Sequence, residues 1–366
     1  MLNIYCQILK SYLKTFGLNL GFFTWMFLVP AYLLFTHITL FLDNIFFYEY
    51  RRTQIKAPVF IIGNPRSGTT FLHQSLTQTG DFSAFKAWHL FFPSLTARIL
   101  VKPIINRLIS TNRSTIVPGK VGSSTDLDKV KTEEWLFLHV LDTQFLFIMT
   151  PLGFDDIEHS EIRLNDRQKP NRRQRSVKFL KGCLQRQIYY TGKEQIIAKM
   201  HFSTNRVKTL LEAFPDAKFI YLVRSPYETI PSDLSLNRNV IDFLWGLENI
   251  PHDKLVRYFE RRYRSAAEMY QYFYDVIKHR EVPTESFMIL KYSCLIDNFM
   301  NVFNEIIFHT NIISSQQLQQ SAKELNQKQK MYKRKHKVLT LEDFGLNKTK
   351  LAKELSFVFK EYGFEK

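Results

Sequence analysis

The segment Pro58–Phe71, with the sequence PVFIIGNPRSGTTF, constrains the fold of this chain more than any other. Val59 to Ile62 is a short apolar run of the kind that forms a buried strand. The run breaks at Gly63, and apolar periodicity resumes as a helix from Thr69. A strand, a loop of small residues and a helix N-terminus bind anions, because loop N–H groups and the positive end of the helix dipole face the same point. The segment therefore predicts an α/β fold with an anion site at the end of a strand.

The two glycines of this loop have the spacing of a P-loop, but Thr69 replaces the lysine that nucleoside triphosphatases place after the second glycine. A cation stands inside the loop instead, at Arg66. The strand predicted at Lys218–Val223 is followed by Arg224, where a nucleoside triphosphatase needs an acidic residue to help hold magnesium. We therefore predict a P-loop-like parallel sheet flanked by helices. Two anion sites at strand ends suit a nucleotide with separate 5′ and 3′ phosphate groups and require no metal.

Both motifs resemble those of sulfotransferases that use PAPS (3′-phosphoadenosine 5′-phosphosulfate). Residues 60–71 are similar to the 5′-phosphosulfate loop of that family, and residues 199–232 to its 3′-phosphate motif, a strand followed by Arg, a polar residue, Pro and a later Ser. Residues 336–346 resemble the end of a largely bacterial branch. The resemblance implies PAPS as co-substrate. It assigns cofactor binding to Arg66, Ser67, Gly68, Thr69, Thr70, Arg224 and Ser232.

Two positions compete for the role of general base. A short predicted strand ends at Lys199 and His201, and the carboxyl ends of parallel strands line the ligand crevice of such sheets. Cytosolic sulfotransferases carry their catalytic His in the same Lys-x-His pattern, so the resemblance makes His201 the candidate base, with Lys199 and Arg66 as catalytic cations. Glu133 and Glu134 open an aromatic segment, where an acidic pair usually complements a helix dipole. The bacterial branch has an acidic motif near this point, so these two glutamates stay open as the alternative base.

Composition limits the partners. The 366-residue chain has a net charge of +16, which fits nucleic acid, an anionic membrane face or anionic small substrates. No helix-turn-helix, zinc-finger or RNP pattern is visible, so we expect no nucleic acid partner. The 3 Cys are widely spaced and favour a reducing compartment. The basic segment Lys328–Lys337 is either a third contact to the cofactor phosphates or a solvated loop.

The N-terminal region predicts membrane contact. Residues 15–42 contain no Asp, Glu, Lys or Arg, and a helix of about 20 residues spans a bilayer core. Pro30 interrupts the run, and basic residues flank it on both sides, which also suits an anchor whose two ends stay on one anionic leaflet. A soluble helix pair packed on the core is the alternative. We expect an apolar helical segment at 1–56, a sulfotransferase domain at 57–366 and a location on the cytoplasmic face of a membrane.

The predicted function is transfer of a sulfuryl group from PAPS to a hydroxyl group. The aromatic share of 15% and the apolar N-terminal segment favour a hydrophobic small-molecule or lipid acceptor. Two alternatives are a P-loop nucleotide kinase or NTPase and a non-catalytic membrane protein that only binds a nucleotide.

Overall fold

The computed structural model describes residues 2–330 and 338–365, the side chains of 328–330 excepted, so the predicted phosphate contact at Lys328–Lys337 lies outside the described side chains. Its α-helices are α1 (Leu2–Phe16), α2 (Leu20–Phe46), α3 (Thr69–Thr77), α4 (Ala87–Phe91), α5 (Leu95–Ser110), α6 (Phe145–Met149), α7 (Ser160–Arg163), α8 (Pro170–Thr191), α9 (Val207–Ala213), α10 (Pro226–Trp245), α11 (His252–Lys278), α12 (Tyr292–Asp297), α13 (Phe299–Thr310), α14 (Gln316–Lys330), α15 (Lys348–Glu354) and α16 (Ser356–Tyr362). Its strands are β1 (Val59–Ile62), β2 (Thr115–Val117), β3 (Thr125–Asp126), β4 (Ile197–Lys199), β5 (Lys218–Val223) and β6 (Phe287–Lys291). Its 3₁₀ helices are Tyr48–Arg52, Gly119–Val121, Glu133–Val140, Pro151–Phe154, Asn165–Arg167, His201–Arg206, Leu247–Asn249, Thr284–Ser286 and Glu342–Phe344.

The chain divides into two compact units, each assembled from separate stretches of sequence. The first unit contains Met1–Thr53, Phe85–Tyr190 and Leu234–Arg262, and the second contains Gln54–Ala84, Thr191–Asp233 and Tyr263–Lys366. The sequence analysis instead predicts two consecutive segments, a helical segment at 1–56 and a domain at 57–366. That division stays a prediction.

The second unit is built on a parallel sheet with the strand order β4-β1-β5-β6. In β1, Val59 pairs with Ile197 of β4 on one side and with Lys218 of β5 on the other. Because the strands are parallel, their carboxyl ends lie at one edge, where the loops after β1, β4 and β5 begin. The predicted α/β class with a parallel sheet flanked by helices is confirmed.

Both faces of this sheet are covered, as the fully buried pattern of β1 indicates. On one face, Val59 and Ile61 belong to an apolar core with Leu72 of α3 and Phe303 of α13. On the other face, aromatic rings pack together, and the ring of Tyr221 stacks on that of Phe273 of α11 at 3.6 Å between centroids. The sheet therefore forms a rigid support for the loops at its edge.

The first unit is largely helical and includes one helix, α2, that is long and apolar enough to cross a membrane by length and composition, with a mean hydropathy of 1.7. α1 packs on the rest of this unit, since Ile4 and Ile8 share an apolar cluster with Leu141, Leu146, Leu152 and Ile162.

A buried ion pair also belongs to the first unit. His159 Nε2 lies 2.9 Å from an oxygen of Asp155, and both side chains are almost fully buried. Burial lowers the pKa of His159, but its hydrogen bonds to Asp155 and Glu161 outweigh that effect and raise the pKa to about 9. His159 is therefore a cation at neutral pH.

Candidate active site

Two glycines shape the loop that follows β1. Gly63 has φ +127°, and a Cβ atom there would collide with the backbone oxygen of Leu222 in the neighbouring strand. Gly68 has φ +100°, and a Cβ atom there would lie 2.5 Å from the ring of Tyr292. Both positions need glycine for backbone conformation and for space, because side chains rarely adopt such φ angles.

The loop ends at the N-terminus of α3, where several hydrogen-bond donors lie. The N–H groups of the first helical turn, from Thr69 onward, have no acceptor inside the helix. The Ser67 hydroxyl is fully buried and has no hydrogen-bond partner among the described residues. Thr70 is exposed and its hydroxyl accepts a hydrogen bond from Lys199 Nζ at 3.0 Å. Hydroxyl, ammonium and backbone donors thus converge on this helix start.

The two anion sites that the sequence predicts separately are connected in the structure. Arg66 Nε donates to the Ser232 hydroxyl of α10 at 3.0 Å. Arg224 Nη1 approaches the carbonyl oxygen of Arg66 at 3.4 Å. Arg224 Nε is buried and has no partner among the described residues, while its Nη2 pairs with the half-exposed Glu228. Both arginines therefore belong to one cluster at the ends of β1 and β5.

Tyr292 is a residue of this cluster that the sequence analysis missed. It begins α12 directly after β6, and its ring lies 4.2 Å from the Arg224 guanidinium carbon. The same ring fills the space beside Gly68. The available signal was its position at the carboxyl end of the apolar run Phe287–Leu290, which forms most of β6.

Lys199 is the last residue of β4 and His201 follows two residues later, so both lie at the carboxyl end of this strand, as the sequence predicts. Lys199 is buried and reaches Thr70. His201 begins a 3₁₀ helix, and its carbonyl oxygen accepts a hydrogen bond from Thr204 Oγ1, which itself accepts from Gly63 N. The Thr204 hydroxyl thus ties the backbone at His201 to the start of the loop.

A second histidine near Lys199 is unsuited to proton transfer at neutral pH. Burial lowers the pKa of His73 to about 3, and the Lys199 charge contributes in the same direction. His73 is therefore neutral, and its Nε2 faces the Ile197 carbonyl oxygen at 3.4 Å.

Glu133 and Glu134 lie in the first unit, at the start of a 3₁₀ helix, and both are fully buried. An oxygen of Glu133 accepts from the backbone N–H of Phe85 at 3.2 Å. An oxygen of Glu134 accepts from Thr143 Oγ1 at 3.2 Å. The choice between these glutamates and His201 as general base stays a prediction.

The site residues are cationic and hydroxyl-bearing. No group of three or more His, Cys, Asp or Glu that could hold a metal ion occurs within residues 2–330 and 338–365. A donor set of Arg, Lys, Ser and Thr suits phosphate or sulfate groups.

A model described as the sulfotransferase family matches residues 58–314, which is more than half of the chain. The chain belongs to the sulfotransferase family. The matched range includes the loop, Lys199, Arg224, Ser232 and Tyr292.

Curated relatives share part of this sulfotransferase sequence. It is 28% identical over 191 residues to the omega-hydroxy-beta-dihydromenaquinone-9 sulfotransferases Stf3 of Mycobacterium bovis and Mycobacterium tuberculosis. These matches cover 50% of this chain and 45% of each relative. The chain thus spans less than half the length of the curated relatives it matches.

Two solved structures have the same fold. Sulfotransferase STF1 from Mycobacterium tuberculosis H37Rv superposes with a TM-score of 0.71 at 16% identity, covering 96% of this chain and 91% of STF1. Sulfotransferase STF9 from Mycobacterium avium superposes with a TM-score of 0.70 at 16% identity, covering 89% of this chain and 82% of STF9. Because identity is low, these two likenesses concern the fold alone.

Proposed function

We propose that this sulfotransferase moves a sulfuryl group from PAPS to a hydroxyl group of a hydrophobic, lipid-like acceptor. The observation that carries the proposal is the cluster in which Arg66 contacts both Ser232 and Arg224. A nucleotide with 5′ and 3′ phosphate groups presents two anions, and the cluster offers cations at the ends of two adjacent strands. The Ser67 hydroxyl and Arg224 Nε, which have no partner among residues 2–330 and 338–365, are donors that such a ligand would satisfy.

The proposed reaction is an in-line displacement at sulfur. The acceptor oxygen forms a bond to sulfur while the bond from sulfur to the bridging oxygen of PAPS breaks, and adenosine 3′,5′-bisphosphate leaves. The acceptor proton passes to the general base, His201 or one of Glu133 and Glu134. Arg66 and Lys199 stabilise the negative charge that develops on the transferred group and on the leaving oxygen.

A hydrophobic acceptor is supported by two observations. The Stf3 relatives are named for a substrate with a hydroxyl group on a menaquinone. The chain also has a long apolar helix, α2, near its N-terminus. We propose that the predicted segment 15–42 brings the enzyme to the cytoplasmic face of a membrane, where a lipid-like acceptor is concentrated.

Transfer of radiolabelled sulfate from PAPS into a lipid extract tests the proposal. We expect label in the lipid fraction without added magnesium, and none when the extract's hydroxyl groups are methylated beforehand. Calorimetry separates the alternatives, since we expect binding of adenosine 3′,5′-bisphosphate and not of ATP. Magnesium-dependent ATP turnover would indicate a kinase or NTPase, and bisphosphate binding with no transfer to any hydroxyl acceptor would indicate a non-catalytic binder.

A further inference from the structure

The outer face of α2 carries an apolar stripe. Six large apolar side chains recur at intervals of three, four or seven residues, which places them on one side of the helix. They are 43–64% exposed and comprise Phe23, Phe27, Leu34, Ile38, Phe41 and Ile45. The buried residues of α2, which include Thr36, Thr39 and Asp43, lie on the opposite side. Leu28 and Phe46, which are 64% and 65% exposed, lie outside this stripe, so most but not all of the exposed apolar residues of α2 share one side.

Both ends of α2 are fixed to the same unit. Before it, α1 is anchored by Ile4 and Ile8 in the apolar cluster described above. At its C-terminal end, the buried carboxylate of Asp43 accepts hydrogen bonds from the N–H groups of Leu95 and Thr96 at 3.0 and 2.8 Å, which caps α5. Asp43 also pairs with Arg186 Nε at 2.6 Å. A helix that crossed a bilayer would place α1 and Asp43 on opposite sides and break one of these attachments.

The middle of α2 is also held. Pro30 has no N–H group, so the carbonyl oxygen of Met26 lacks its helical donor. Tyr5 of α1 supplies a replacement, since its hydroxyl lies 3.1 Å from that oxygen and 2.7 Å from the Trp25 oxygen. Two residues beyond the proline, Tyr32 donates to the Phe91 oxygen at 2.6 Å. These bonds hold α2 along the surface of its unit.

The neighbouring helix α5 extends the apolar surface. It packs against α2 and exposes Ile99, Leu100 and Ile104 at 60–62% each. Arg107 is also exposed and follows Leu100 and Ile104 on the same helix face. Residues 1–53 and 85–125 together contain ten Lys and Arg but only two acidic residues, and one residue of each kind, Arg98 and Asp43, is buried. Apolar stripes bordered by cations fit the interface of an anionic leaflet.

We propose that α2 and α5 form a monotopic docking face that lies flat in one anionic lipid leaflet, and that α2 does not cross the bilayer. We call this surface the α2–α5 face. It consists of the six exposed residues of α2 given above with Ile99, Leu100 and Ile104 of α5. This inference rests on the membrane contact in the proposed function and specifies how that contact is made.

Flotation with vesicles tests whether the exposed apolar residues of α5 contribute to lipid binding. The probe is phosphatidylcholine vesicles with and without phosphatidylglycerol. We expect preferential binding to the anionic vesicles, and the triple variant Ile99→Ser, Leu100→Ser and Ile104→Ser should lower that binding at least about tenfold. The matched control is Phe308→Ser with Ile313→Ser, since these side chains are 87% and 88% exposed but lie in the second unit. Equal binding by the triple variant and the control would overturn the role of α5.

Cysteine labelling tests the topology. In a Cys6→Ser and Cys294→Ser background, Leu18→Cys and Tyr48→Cys place thiols at exposed positions before and after α2. We expect a membrane-impermeant maleimide to label both thiols in sealed inside-out vesicles of the expression host. Labelling of one thiol only would show that α2 spans the membrane and would refute the proposal.

Two further measurements separate lipid binding by the α2–α5 face from dimerisation through the same face and from the proposed reaction. A dimer in lipid-free solution that the α5 triple variant dissociates, together with no vesicle binding, would assign the face to a second copy of the chain. Sulfuryl transfer to a short-chain, soluble hydroxyl acceptor should be unchanged in the triple variant. Transfer without vesicle binding would refute the docking face alone, whereas vesicle binding without any transfer would refute the proposed reaction alone.

Discussion

Replacing Gly68 with Ala tests whether the loop and Tyr292 act together in nucleotide binding. The new methyl group would lie 2.5 Å from the Tyr292 ring, well inside van der Waals contact. Either the loop or the ring must move by roughly 1 Å to restore an ordinary carbon–carbon separation. Because the ring also lies 4.2 Å from the Arg224 guanidinium carbon, its movement disturbs a cation that we propose binds phosphate.

Gly80 provides the matched control. It lies in the same unit with φ +75°, and a Cβ atom there would have nothing within 4 Å. Gly80→Ala therefore incurs only the backbone penalty of a positive φ, about 1–2 kcal/mol. Gly68→Ala incurs that penalty and an overpacking cost of about 1–3 kcal/mol. The difference between the two variants isolates the contact with Tyr292.

We expect urea denaturation to show a larger loss of unfolding free energy for Gly68→Ala than for Gly80→Ala. Calorimetry with adenosine 3′,5′-bisphosphate should show about a two- to fivefold loss of affinity for Gly68→Ala only, because a cation–π contact contributes about 0.5–1 kcal/mol. Adding Tyr292→Ala should recover part of the lost stability, since it removes the collision. Equal effects of the two glycine substitutions on both measurements would refute the reasoning.

Other predictions concern single side chains. Arg66→Ala should lower sulfuryl transfer about 100-fold or more and weaken bisphosphate binding, and unchanged turnover would contradict its assignment. His201→Ala should lower turnover by a similar factor at unchanged bisphosphate affinity; if Glu133→Ala or Glu134→Ala does so instead, the base is acidic. The pKa of His159 is about 9 against an ordinary 6.5, so its protonation stabilises the fold fully at pH 6.5 and progressively less as the pH rises through 9. Relative to His159→Asn, the wild type should lose up to about 3 kcal/mol of unfolding free energy over that interval in urea melts at successive pH values.

Local sequence was enough to predict the elements that carry the site. The apolar run Lys218–Val223 forms β5 with the same bounds as predicted, and the strand before the loop and the helix after it both occur. Each of these elements is formed by contiguous residues. Apolar runs favour a strand or helix, and glycines favour a turn, within a few positions of where they occur. The residues that follow the strand ends could therefore be placed at one edge of the sheet.

Contacts between distant parts of the chain could not be predicted in this way. The proximity of Tyr292 to Gly68 and Arg224 depends on β6 pairing with β5, and no short-range pattern specifies that pairing. The charge-free run of residues 15–42 ends just before Asp43, whose partner Arg186 lies 143 residues further along the chain. Composition made α2 resemble a span, whereas the hydrogen-bonding groups that hold it come from α1, α4, α5 and α8.

The backbone at Arg66 explains why the loop carries its cation inside rather than after the second glycine. Arg66 adopts φ +69°, a conformation that costs a non-glycine residue about 1–2 kcal/mol. Contacts from other elements offset this cost, because the side chain donates to Ser232 and the carbonyl oxygen is approached by Arg224. An arginine without such contacts would be expected to relax to a negative φ angle. The contacts at its side chain and its carbonyl oxygen therefore hold Arg66 in this strained conformation. The arginine therefore has a fixed place between the ends of β1 and β5. A lysine after Gly68 would instead stand at the start of α3, whereas Arg66 is linked by its hydrogen bond to Ser232 of α10.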